Sequence, residues 1–175
     1  MNIGDPLQKE ECVAMVIEKK KNERTETKEY KVLVAVDFST SSARALRRAK
    51  SIMGRKPDRI LVLHVIDHNF VEKCINNQIG TGENIRKTLF LQAKKSLKDF
   101  LRAEGMEDES IEKLVCEGIP FLEINKKAVE TGVDMVIMGN RGNSGDMQTI
   151  FFGSTTERVL RFMSRPVLCV PIEED

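Results

Sequence analysis

The strongest constraint on this chain is an alternation. Short apolar runs rich in valine and isoleucine recur, and between them lie longer stretches with apolar residues at helical spacing. The run "YKVLVAVD" (Tyr30–Asp37) is continuously apolar, as strands buried on both faces of a parallel sheet are. A helix is predicted next, from Ser39 to Gly54, with Leu46, Ala49 and Met53 on one face, Ser and Thr at its start and Gly54 as its stop. "DRILVLHVID" (Asp58–Asp67) reads as a second buried strand, followed by a polar loop that holds His68, Gly80 and Gly82. A long helix is predicted from about Asn84 to Glu104, with Ile85, Leu89, Ala93, Leu97 and Phe100 on one face and Gly105 ending it. "SIEKLVCEG" (Ser110–Gly118) alternates apolar and polar residues, which suits a strand nearer the sheet edge. Then come a helix with Pro120 in its first turn and Gly132 after its last, a strand over Val133–Gly139, a loop over 139–152, a helix over Gly153–Ser164 and a short strand between Pro166 and Pro171. Parallel strands need crossover connections, and helices supply them. The expectation is α/β: an open, doubly wound, five-stranded parallel sheet over residues 31–172 with helices on both faces.

Residues 1–30 stand outside this pattern and read as an N-terminal extension ahead of a domain over 31–175. Val13–Ile17 is a candidate extra strand, and the mixed-sign run after it reads as a solvated turn or helix face. The apolar stretch from Cys12 to Ile17 is too short, and wrongly flanked, for a signal peptide. No apolar run reaches the length of a membrane span. With 28 Lys and Arg against 27 Asp and Glu, the chain lacks the charge excess of a nucleic-acid-coating protein. Cys12, Cys74, Cys116 and Cys169 form no C-x-x-C pair and read as small buried hydrophobes in a reducing compartment. His64, inside an apolar run, reads as a satisfied core histidine rather than a general base.

In doubly wound folds ligands sit beyond the carboxyl ends of the strands, at the switch point. Here those ends lead into Asp37-Phe38-Ser39, into Asp67, and into Gly139-Asn140-Arg141-Gly142 followed by Gly153-Ser154 at a helix start. Gly139 and Gly142 offer unusual backbone conformations and close ligand approach. The helix start offers free N–H groups and a positive dipole end, Ser154, Thr155 and Thr156 add hydroxyls, and Arg141 adds a cation. Together these suit a phosphate chain. Purely structural roles stand beside that one: Ser154-x-x-Glu157 fits a capping box, the glycines fit turns, and Asp37 fits a helix entry. A P-loop motif, a G-x-G-x-x-G after the first strand and a G-x-S-x-G elbow are all absent.

The segments "VLVAVDFS", "ILVLHVID", "EGIPFLEINKKAVETGVDMVIMGNRG" and "GSTTERVLRFMSRPVLCVP" resemble the universal stress protein family over residues 31–172. The ATP-binding branch of that family carries G-x2-G-x9-G-[ST]. This chain reads Gly139-x2-Gly142-x10-Gly153-Ser154, a loop one residue longer, with Gly145 available to absorb the extra residue. The resemblance implies a Rossmann-like domain of the adenine-nucleotide-binding type, with ATP or AMP as ligand. It implies Asp37 near the ribose, Ala35 and Val36 lining the adenine and ribose pocket, and the Val65 backbone at the adenine edge. Met138, Gly139, Arg141 and Gly142 would wrap ribose and phosphates, and Gly153, Ser154, Thr155 and Thr156 would hold the phosphates. Mg2+ or Mn2+ would be held through phosphates and water rather than by a protein cage. It further implies a cytoplasmic nucleotide-dependent stress-response switch, homodimeric through its last strand, with at most slow ATP hydrolysis. The alternative is a nucleotide-free dimeric interaction module. An ATP-consuming enzyme of related fold would have a glycine-rich loop after the first strand, where this chain has "DFSTSS".

Overall fold

The computed structural model describes residues 29–53, 59–77, 81–107, 111–142 and 152–171. Along them run β1 (Lys31–Ala35), α1 (Thr40–Ile52), β2 (Arg59–Asp67), α2 (His68–Asn76), α3 (Gly82–Ala103), β3 (Ile111–Gly118), α4 (Pro120–Glu130), β4 (Met135–Gly139), α5 (Ser154–Phe162) and β5 (Val167–Val170). The five strands pair in parallel in the order β3-β2-β1-β4-β5. The expected doubly wound sheet is therefore present, and the alternating strand β3 stands at an edge with Glu112 and Lys113 exposed.

Strand periodicity divides the core in two. Val32 and Val34 of β1, Val62 of β2 and Ile137 of β4 pack with Ala45, Leu46 and Ala49 of α1 and with Leu97 and Leu101 of α3. Leu33, Leu61, Leu63, Val136 and Met138 point the other way, onto Ile124 and Ala128 of α4 and Val159 of α5. Burial on both faces is why β1, β2 and β4 read as unbroken apolar runs. Gly105 and Gly132 end α3 and α4 in the left-handed region, at φ of 62° and 64°. The next N–H groups close the caps: Met106 donates to the Leu101 carbonyl and Val133 to that of Ala128.

Two boundaries differ from the sequence reading. The stretch after β2 is not a polar loop: Asp67 accepts a hydrogen bond from the Asn69 N–H at 2.8 Å and caps the helix α2. Its apolar stripe is Val71, Cys74 and Ile75, of which Val71 is fully buried, among Ile66 and Ala93. The long helix α3 begins at Gly82, two residues before Asn84, because Thr81 caps it. The expected strand at Val13–Ile17, Cys12, and the turn residues Gly54, Gly80 and Gly145 lie outside the described residues.

Candidate functional site at the switch point

The register sets the ends of β1 and β4 beside the middle of β2: Ala35 pairs with Leu63 on one flank and with Met138 on the other. Beyond this row the chain leaves β1 for α1 on one face, and leaves β4 for α5 on the opposite face. The split opens a cavity of about 240 Å³. All twelve residues singled out from the sequence line it. Ala35, Val36 and Asp37 come from the end of β1, Val65 from β2, and Met138, Gly139, Arg141 and Gly142 from β4 and its exit. Gly153, Ser154, Thr155 and Thr156 come from the start of α5.

Asp37 sits at the turn into α1. Its Oδ1 accepts the Ser39 N–H at 3.1 Å and the Ser39 hydroxyl at 2.5 Å. Ser39 Oγ in turn accepts the Ser42 N–H at 3.1 Å and caps α1. The helix-entry role is thus real for Asp37, and it leaves Oδ2 toward the glycine loop, where a Cβ on Gly142 would come within 2.6 Å of it. Phe38 follows at φ 65°, the one non-glycine residue with positive φ among the described residues. Such a conformation costs about 1–3 kcal/mol in an L-residue and survives only where packing enforces it.

The exit of β4 corrects three expectations. Gly139 and Gly142 hold no conformation reserved for glycine, since the glycines with positive φ among the described residues are Gly105 and Gly132. What Gly139 provides is space: a Cβ there would stand 2.9 Å from the backbone carbonyl carbon of Ser41, so α1 crosses the end of β4 in direct contact. Ser154 does not cap α5 through a capping box; Gly153 occupies the cap position and no side chain caps the helix. The Gly153 N–H donates to the Asn140 carbonyl at 2.8 Å, which closes the base of the loop and fixes where the helix begins. The Thr156 hydroxyl is also committed, donating to the Gly139 carbonyl at 3.1 Å in a buried position. Ser154, Thr155 and Thr156, the first residues of α5, line the cavity.

The lining is mixed. Ala35, Val36, Leu63, Val65, Pro120 and Ile124 are its apolar part. The start of α5 and Arg141 add positive charge to it, and Asp37 and Asp67 add carboxylates. The Arg141 Nε is buried and has no hydrogen-bond partner. A buried N–H without an acceptor costs on the order of 1–3 kcal/mol.

Residues 30–171 match the sequence profile of the Universal stress protein family. The chain belongs to that family. Universal stress protein MJ0577 of Methanocaldococcus jannaschii is 31% identical over 153 residues, covering 80% of this chain and 93% of the relative. Universal stress protein YxiE of Bacillus subtilis is 28% identical over 149 residues, 80% of this chain and 97% of that one. The solved structure of MJ0577 superposes with a TM-score of 0.71, at 28% identity over 83% of this chain and 98% of that chain.

This universal stress protein lines its cavity with five residues that the sequence reading did not place there: Ser42, Leu63, Asp67, Pro120 and Ile124. Leu63 and Ile124 look like ordinary core residues, and only the depth of the slot separates them from the rest of the core. Asp67 follows a strand end and carried that positional signal; Pro120 carried only a helix-start signal. The histidines divide as expected in one case. His64 donates from Nδ1 to the Val36 carbonyl at 2.9 Å, and burial pushes its pKa below the usual value. His68 opens α2, with Nδ1 at 3.1 Å from a Glu117 carboxylate oxygen. Cys74, Cys116 and Cys169 are free and half-buried rather than fully buried. Desolvation pushes the Cys116 thiol up to about 11 and raises that of Cys169, which favours the thiol over the nucleophilic thiolate. Among the described residues no cluster of three or more His, Cys, Asp or Glu could hold a metal ion, and no helix is long and apolar enough to cross a membrane.

Proposed function

We propose that this universal stress protein binds an adenine nucleotide, ATP or AMP, in the switch-point cavity and acts as a nucleotide-dependent switch in the stress response. The observation that carries this is that one cavity is lined by Arg141, the glycines at the exit of β4 and the start of α5, which no side chain caps, together with apolar residues of β1, β2 and α4. The adenine takes the slot between Ala35, Val65 and Ile124. The ribose hydroxyls donate to Asp37. The phosphates lie on the N–H groups of Ser154, Thr155 and Thr156, with the hydroxyls of Ser154 and Thr155, and Arg141 adds its charge. A divalent ion, Mg2+ or Mn2+, is held by the phosphates and water. The same fold accommodates an adenine nucleotide elsewhere: a universal stress protein 21% identical to this chain has been crystallised in complex with cAMP. The acids lining the cavity are Asp37 and Asp67, and both carboxylates accept backbone N–H bonds at helix entries. This favours a holder of nucleotide, with at most slow hydrolysis. We place the protein in the cytoplasm, as a homodimer joined through β5, whose residues are half-buried along an edge with one strand neighbour among the described residues.

Isothermal titration with ATP and Mg2+ tests the reading. Saturable binding is expected, weakened at least about tenfold in Asp37→Ala, which removes a polar contact, and in Gly153→Val, which adds bulk where the phosphates approach the helix start. Absence of binding at millimolar nucleotide, or indifference to both substitutions, would favour the nucleotide-free dimeric module instead. Extraction of nucleotide from the purified protein, read by mass spectrometry, separates the two independently.

A further inference from the structure

Phe38 is an unexpected choice for its position. At φ 65° a glycine or asparagine would sit without penalty, and a bulky ring does not. The ring therefore has something to hold. It stacks on the His64 imidazole with centroids 4.2 Å apart at 28°, and meets Phe100 edge-on at 5.6 Å. The same imidazole donates from Nδ1 to the Val36 carbonyl at 2.9 Å. One side chain on β2 thus grips both neighbours of Asp37: the backbone before it and the ring after it. Neither His64 nor Phe38 lines the cavity. Phe38 packs with the core on the α1 and α3 side of the sheet, so the grip is applied from the face opposite the slot. Between the two held neighbours, Asp37 has its Oδ1 on Ser39 and its Oδ2 against Gly142.

We propose that His64 and Phe38 are positioning residues that aim the Asp37 carboxylate, and that they thereby set the preference of the site for a nucleotide carrying both ribose hydroxyls. The proposal rests on the reading of the cavity as an adenine-nucleotide site. A carboxylate accepts two vicinal hydroxyls well only when its plane and distance are fixed beforehand. Simple filling of the core would be met by leucine at position 64. Leucine cannot donate to the Val36 carbonyl or stack on Phe38, so the two roles make different predictions.

The test compares Mg2+-ATP with Mg2+-2′,3′-dideoxy-ATP by titration calorimetry on the full chain. His64→Leu and Phe38→Gly are each expected to weaken ATP about tenfold while moving the dideoxy analogue less than about twofold, because only hydrogen bonds to Asp37 are lost. His64→Asn, whose amide can reach the Val36 carbonyl, is expected to recover part of the preference. Retention of the full preference in both variants, or equal loss of both ligands, overturns the proposal. A second measurement needs no nucleotide: amide exchange at Ser39, the donor to Asp37 Oδ1, in the free protein. It should speed up in His64→Leu and Phe38→Gly while Val136 in β4 stays protected. If the wild-type chain binds neither nucleotide, faster Ser39 exchange still upholds the aiming of Asp37 while the nucleotide reading falls. Unchanged Ser39 exchange overturns the aiming itself.

Discussion

Gly139 is fixed by a neighbour from a distant part of the chain. The first turn of α1 crosses it so closely that a Cβ would meet the backbone of Ser41 at 2.9 Å, and backbone yields less readily than the tip of a side chain. Gly139→Ala is expected to destabilise the protein by about 1–3 kcal/mol, which for a domain of this size lowers the melting temperature by roughly 2–4 °C per kcal/mol. Thermal unfolding measures it, and an unchanged melting temperature would mean that α1 can step back. Gly142 differs in kind, because what a Cβ there would displace is the movable carboxylate of Asp37. From sequence both glycines look like residues needed for their backbone freedom. Their backbone angles are ordinary, and the space they leave is visible only when Ser41 and Asp37 are in place. His64 is a second case: its apolar surroundings in "ILVLHVID" mark it as a satisfied histidine, and it is hydrogen-bonded but only half-buried, the partner of both Val36 and Phe38.

At the scale of elements, α5 shows how a tertiary contact overrides a local motif. Ser154-x-x-Glu157 has the spacing of a capping box, yet the helix starts with Gly153 as its cap because the Gly153 N–H is held by the Asn140 carbonyl. Thr156 then ties the first turn of α5 to β4 through its hydroxyl on Gly139. Thr156→Val keeps the shape and removes that bond. A loss of about 1–2 kcal/mol is expected in urea unfolding, with the slope unchanged because the surface exposed on unfolding is the same. No loss would mean that β4 and α5 are held by packing alone. The helix α2 escaped the sequence reading for a related reason. It is short, charged residues separate its apolar ones, and Val71 is its sole fully buried residue, so its stripe is legible only once Ile66 and Ala93 supply the surface it covers.

At the scale of the molecule, the strand order leaves β5 with one neighbour among the described residues. Val136 donates to the Pro166 carbonyl and Asn140 to that of Val170, so the even-numbered residues of this segment turn their backbone groups to β4 and the N–H of Cys169 points to the open edge. If the homodimer forms there, Cys169→Pro removes an outward donor without touching the β4 pairing. Sedimentation is expected to show a dimer for the wild-type chain and a shift toward monomer for the variant; a variant that stays dimeric would move the interface elsewhere. Apart from α2, the order of elements, the parallel class of the sheet and the placing of Asp37, the glycine loop and the α5 start at strand ends were legible in the sequence. Strands buried on both faces and helices buried on one write their surroundings into local periodicity. The uncapped state of α5, the space that Gly139 supplies, the slot of Leu63, Pro120 and Ile124, and the grip of His64 on the neighbours of Asp37 were decided by the tertiary structure alone. Each is a contact between residues far apart in the chain, and such contacts leave no periodic trace in either partner.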